Sequence, residues 1–203
     1  MKNPLAVAGV PSTDLVAVPI AVVSHVRRPN FPVFDVRGAV LSPGNRTVRD
    51  TEMVYILADG HADLLDTLRQ HLTQLVAAPS LPELHRAWTL HFVLHHEVEQ
   101  LVASVRESEP PLGLPVALEA LTVFLAKTGR APQLLLQIIE DDPATLATVA
   151  LHTAIHVLIL AQATGVRRVE QLSALAFGAV FADVGVPRGD FARCSTSSRA
   201  SRS

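Results

Sequence analysis

The chain has 203 residues, a formal net charge of −2, 49% hydrophobic residues and 18% charged residues. This composition is typical of a globular protein and excludes an intrinsically disordered chain. The nearly balanced charge provides no general attraction for nucleic acid, and 4% aromatic residues do not favour a base-stacking surface.

The cysteine content and two apolar segments bear on the cellular compartment. Cys194 is the single cysteine, so no internal disulfide can form, which favours a reducing, cytoplasmic setting. The apolar segment 5–23 is interrupted by two prolines and an aspartate, and it lacks the continuous apolar run of a signal peptide. The segment 149–163 contains two histidines and is shorter than a bilayer span. We therefore expect a soluble protein without a membrane span.

The first part of the chain predicts a small β-rich module. Residues 1–30 contain four prolines and no clear period, which predicts a loose segment with one strand. Further on, two short β-rich runs flank Gly38 and precede a Pro-Gly turn, a pattern typical of a hairpin. The predicted strands are 16–23, 33–36, 39–41 and 54–57. With a helix over 64–76, they predict an α+β module over residues 31–79.

The rest of the chain has helical periodicity, interrupted by proline and glycine. The predicted helices are 82–105, 114–128, 133–139, 145–164 and 169–181. Ser80 is the expected N-cap of the first of them. These helices predict a bundle over residues 80–191, so the expected fold is mainly α with a small N-terminal β-rich module. The small, polar and basic residues 192–203 predict a disordered tail.

The sequence LAFGAVFADVG at residues 175–185 carries a family resemblance. It resembles the helix of HD and HD-GYP phosphohydrolases that ends in leucine-leucine-histidine-aspartate-isoleucine-glycine-lysine. The preceding helix resembles the family helix that opens with histidine-serine, and residues 33–44 resemble the small module before this core in many bacterial members. The resemblance implies an HD-type bundle, truncated on its C-terminal side because the family's downstream histidines and glycine-tyrosine-proline loop have no counterpart.

The resemblance also implies a degenerate active site. In the family, the histidine-aspartate pair and further histidines bind metals that activate water for attack on phosphorus. Here Ala182 replaces that histidine, Asp183 remains, and Val186 replaces the lysine. The first family histidine falls at Val149 without gaps, or at His152 if the helix shifts by three residues. Alternatively, Asp183 serves locally and caps the turn after its helix.

Two histidine pairs suggest a different kind of site. His91 and His95 lie four residues apart on one predicted helix face with Glu99, and His152 and His156 form a second such pair. Two pairs on packed helices have the spacing needed to bind zinc or iron inside a bundle. Such pairs also arise readily in a chain with nine histidines, so half-buried or solvent-facing imidazoles are the alternative.

Three functional hypotheses follow from these patterns. In the first, the protein is a non-catalytic HD-GYP-like regulator in bacterial cyclic-dinucleotide-type signalling, with no expected cofactor. Its uncovered helix faces would then bind a second copy or a protein partner. In the second, it is a metal-dependent cyclic-di-GMP-type phosphodiesterase that binds manganese, iron or zinc. The ligands in that case are His152, His156 and Asp183, with His91 and His95 as further candidates. The third hypothesis is an unrelated helical bundle that binds metal or haem.

Overall fold

A computed structural model describes six segments of the chain: residues 14–24, 31–35, 39–41, 53–104, 113–140 and 142–184. The predictions for the tail 192–203, for the Pro-Gly turn at 43–44 and for Val186 lie outside the described residues.

A small antiparallel sheet lies near the N-terminus. Its strands are β1 (Leu15–Pro19), β2 (Val33–Phe34) and β3 (Met53–Leu57), in the order β1-β3-β2. The backbone returns beside β2, because the Leu41 amide donates to the Val33 carbonyl at 2.7 Å. This pairing supports the predicted hairpin.

The strand predicted at 16–23 is only partly correct. Strand β1 ends at Pro19, and residues Ile20–Val23 form the short helix α1. Proline lacks an amide hydrogen for continued strand pairing and cannot extend the ladder. All four residues of α1 are buried, so their apolar character reflects burial of a helix and not of a strand.

Six longer helices make up the rest of the described structure. They are α2 (Ala58–Ala77), α3 (Glu83–Ala103), α4 (Leu114–Lys127), α5 (Ala131–Ile139), α6 (Leu146–Ala163) and α7 (Val169–Val184). The predicted fold class, mainly α with a small N-terminal β-rich part, is confirmed. The predicted division at residues 30, 79 and 191 stays a prediction.

One predicted helix start and one predicted N-cap are wrong. Helix α2 begins at Ala58, six residues before the predicted start, and Asp59 and Gly60 lie in its first turn. A Cβ atom at Gly60 would lie 2.7 Å from the Phe31 side chain, so this position needs glycine for close packing. Helix α3 has Pro82 at its N-cap with no side-chain hydrogen bond, so Ser80 is not the cap.

The hydrophobic core is one continuous cluster from the sheet to α7. Helix α3 contacts α2, α4, α5, α6 and α7. Leu90 and Leu94 of α3, Phe124 of α4 and Leu151 of α6 are all buried in this cluster. Helix α6, with 18 residues and a mean hydropathy of 1.7, is long and apolar enough to cross a membrane, yet 44% of it is buried inside the protein. The central helix of a globular core has the same composition.

An ion pair with a buried carboxylate joins α2 to α3. The Arg69 Nε donates to Oε1 of Glu97 at 2.5 Å, and the Glu97 side chain is only 1% exposed. A Cβ atom at Gly113, the N-cap of α4, would lie 2.6 Å from the other oxygen, Oε2. The carboxylate therefore lies at the start of α4, where the helix dipole favours a negative charge.

Candidate functional site

Two of the predicted histidines come together around an aspartate. His91 on α3 and His152 on α6 both direct Nε2 at Oδ2 of Asp142, at 2.8 Å and 3.0 Å. A carboxylate only accepts hydrogen bonds, so each imidazole carries its hydrogen on Nε2 and donates it. We call these three residues the His-Asp-His group.

The start of α6 holds Asp142 in place. Thr145 is the N-cap of this helix, and its hydroxyl accepts from the amide of Thr148 at 3.1 Å. The Thr148 hydroxyl accepts in return from the Thr145 amide at 2.8 Å and donates to the Pro143 carbonyl. This reciprocal capping ties the segment after Asp142 to the helix that carries His152. The loop therefore has little freedom to move the carboxylate away from the imidazoles.

Burial and hydrogen bonding act in opposite directions on Asp142. Burial disfavours the charged carboxylate and by itself raises the pKa. The hydrogen bonds and positive potential from His91 and His152 favour the charged form more strongly, so the pKa of Asp142 falls below its ordinary value of 3.8. Asp142 is therefore ionised near neutral pH.

The other candidate ligands form no hydrogen bond to Asp142 within the described residues, although the His95 ring lies against that of His91 with 6.0 Å between the centroids. His156 is exposed, and its Nδ1 donates to the backbone carbonyl of His152 at 2.7 Å. His95 lies 3.6 Å from the Glu99 carboxylate, measured from Nδ1 to Oε2. Asp183 lies near the end of α7, where its Oδ2 is buried without a hydrogen-bond partner among the described residues.

The arrangement of these side chains bears on metal binding. Within the described segments, no group of three or more His, Cys, Asp or Glu side chains is placed to bind a metal ion. In the His-Asp-His group, both Nε2 atoms face one carboxylate oxygen, and a metal ion would need an Nε2 without hydrogen. Coordination by His91 and His152 would require these hydrogen bonds to be exchanged for bonds to the ion.

Asp142 is the site residue that the sequence analysis missed. Three acidic residues and a proline precede the N-cap Thr145, and acidic residues are common before a helix for local reasons. The one clue in the sequence was proximity along the chain, because Asp142 lies in the short loop that immediately precedes the helix carrying His152. Only the packing of α3 against α6 brings His91 to the same carboxylate.

A second histidine pair lies between α2 and α3. The rings of His61 and His96 meet edge-on, with 5.9 Å between their centroids, and His61 also contacts the Phe92 ring at 5.6 Å. Burial lowers the pKa of both histidines below the ordinary value of 6.5, and Glu99 opposes this effect at each of them. At His96, the positive potentials of Arg69, His61 and His95 lower the pKa further.

This pair predicts a loss of stability in mild acid. Because the folded state lowers both pKa values, the neutral imidazoles stabilise the fold fully above pH 6.5. This contribution is lost as the pH falls from 6.5 through the folded-state pKa values. Thermal melts between about pH 7.5 and 5 should show a falling melting temperature, and the double variant His61→Gln/His96→Gln should show a shallower slope. Equal slopes for the two proteins would contradict this assignment. Asp142 does not contribute to the slope between about pH 7.5 and 5, because its pKa lies below 3.8.

The fold is that of an HD-GYP-like helical domain. The structure is similar to that of Bd1817, an HDG"Y"P protein from Bdellovibrio bacteriovorus, with a TM-score of 0.57 and 15% sequence identity. The similarity covers 85% of this chain and 60% of the length of Bd1817. No family model and no curated protein sequence matches the chain. The similarity therefore confirms the expected fold.

Proposed function

We propose that this protein is a non-catalytic regulator with an HD-GYP-like fold, acting through protein contacts in bacterial cyclic-dinucleotide-type signalling in the cytoplasm. The observation that carries the non-catalytic part is Ala182 beside Asp183, because alanine leaves this position of α7 without a donor atom. The His-Asp-His group, in which two imidazoles share one carboxylate oxygen, holds α3, α6 and the loop before α6 together.

The residues near the end of α7 support the same proposal. A metal hydrolase needs several converging donors and one open coordination position for the attacking water. The side chain beside Asp183 is Ala182, which has no donor atom. A single carboxylate at this position does not bind a transition metal tightly enough to generate hydroxide near neutral pH.

Metal content and hydrolysis test the proposal directly. Dialysed protein should contain well under one equivalent of manganese, iron and zinc by elemental analysis. It should also leave a generic phosphodiester, bis(p-nitrophenyl) phosphate, unhydrolysed when manganese, iron(II) or zinc is added. Stoichiometric metal that survives dialysis, together with metal-dependent hydrolysis, would overturn the non-catalytic assignment.

One observation favours a second candidate, a metal-dependent phosphodiesterase. The buried Oδ2 of Asp183 lacks a hydrogen-bond partner among the described residues, and such an atom is a potential ligand. On this alternative, His152 and His156 supply imidazole ligands, with His91 and His95 as further candidates. Asp183→Asn would then abolish both hydrolysis and metal retention, whereas Asp66→Asn, at an exposed carboxylate on α2, would leave both unchanged.

A further inference from the structure

Helices α6 and α7 expose an apolar surface, which we call the α6–α7 face. Its residues are Val149, His156 and Leu160 on α6 and Leu175, Gly178 and Phe181 on α7, all of them exposed. Leu160 is 65% exposed, more than any other large hydrophobic side chain in the described segments. The Phe181 ring stacks on Phe177 with 6.4 Å between the centroids, which extends the apolar surface along α7.

Charged residues are almost absent from these two helices. Helix α6 contains no Asp, Glu, Lys or Arg, and α7 contains only Glu170 and Asp183. Exposed large hydrophobic side chains concentrated on two adjacent helices with almost no charges are typical of an interaction site. Because a two-fold axis places each surface against its own copy, an uncharged surface also avoids like-charge repulsion in self-association.

Charges at the two ends of the α6–α7 pair also favour self-association, with the two copies antiparallel. A short turn joins α6 to α7, so the helices run antiparallel as a hairpin. Arg167 and Arg168 are exposed at the turn, beside Glu170, and give this end a net positive charge. The opposite end is negative, with Asp183 on α7 and the exposed Glu140 in the segment before α6. An antiparallel pairing of two copies would bring opposite charges together at both ends.

The size of the face is sufficient for reversible association. The 18 residues of α6 span about 27 Å at roughly 1.5 Å per residue. Because each helix is about 10 Å wide, the two helices side by side outline on the order of 500 Å² per copy. Two copies would bury on the order of 1,000 Å², near the lower limit for a specific interface.

We propose that a second copy of this chain covers the α6–α7 face in a two-fold dimer with α6 antiparallel to its counterpart. This inference rests on the protein contacts of the proposed function and names their partner. The modest area implies a dimer that dissociates on dilution through the micromolar range.

Sedimentation velocity between about 1 and 100 μM tests the dimer. The full chain should shift from monomer to dimer over this range, and Leu175→Glu should shift the midpoint at least tenfold higher, because it places a charge in the interface. Leu136→Glu on α5 is the matched control, since Leu136 is 38% exposed and Leu175 is 40% exposed. The control should associate as the unchanged protein does, and both variants should keep the native circular dichroism spectrum.

A cysteine near the proposed axis tests the arrangement of the two copies. His156 lies near the middle of α6, where the two-fold axis would bring the two copies together. In a Cys194→Ser background, a short bismaleimide reagent should therefore cross-link His156→Cys into covalent dimers. The control Val116→Cys, on the exposed side of α4, should not.

Three results would overturn the dimer inference: a monomer at all concentrations, equal association of the two glutamate variants, or sedimentation with lipid vesicles in place of self-association. None of them bears on metal content or hydrolysis, so failure of the dimer is distinguishable from failure of the non-catalytic assignment.

Discussion

Arg69→Ala should lower the free energy of unfolding by about 3 kcal/mol, because it leaves the Glu97 carboxylate buried without its cation. Glu97 is 1% exposed, and its Oε2 already lacks a hydrogen-bond partner among the described residues. For a chain of this size, the change corresponds to a fall in melting temperature of about 6–12 °C. Thermal and urea unfolding measure both quantities.

Two further variants separate this pair from other contacts of Arg69. Arg69 also binds the exposed carboxylate of Asp66 at 2.9 Å, and Asp66→Ala should change stability by less than about 0.5 kcal/mol. The double variant Arg69→Met/Glu97→Leu removes the buried carboxylate together with its partner and should recover most of the lost stability. Equally small losses of stability in Arg69→Ala and Asp66→Ala would contradict a stabilising role for the Arg69–Glu97 pair.

Asp142→Ala should destabilise the protein by about 2–4 kcal/mol, because His91 and His152 each lose a charge-assisted hydrogen bond. His91 is only 5% exposed, so water cannot readily replace the lost acceptor at that imidazole. Asp142→Asn keeps an acceptor oxygen without the charge and should cost less than the alanine variant. Glu140→Ala, at a nearby exposed carboxylate, should be close to neutral.

Histidine nitrogen NMR gives a readout that stability alone cannot. His91 and His152 should carry hydrogen on Nε2, whereas His156 should carry it on Nδ1, where it donates to the His152 carbonyl. Asp142→Ala should change the spectra of His91 and His152 and leave that of His156 nearly unchanged. Nε2 of His91 and His152 bonded to metal in the unchanged protein would contradict the His-Asp-His group and favour the phosphodiesterase alternative.

Local periodicity was sufficient to predict much of the fold. The prolines, glycines and apolar spacing placed α3 to α7 within a few residues, because a long helix repeats its pattern over several turns. Short elements were less predictable. The residues 20–23 are apolar in either a strand or a buried helix, and only packing against α3 decides between them. Similarly, only the packed structure explains Gly60, which lets the Phe31 side chain approach α2.

Periodicity and motifs along the chain were sufficient to predict the helical class, the resemblance to the HD-GYP fold and the candidate histidines. Which of those histidines meet depends on how the helices pack. His91 and His152 are 61 positions apart, and their shared acceptor, Asp142, lies in a loop without a motif. The same limit applies to Arg69 and Glu97, whose pairing depends on the packing of α2 against α3. A helical period specifies which side of a helix a residue occupies, and only the packed fold specifies which helix faces that side.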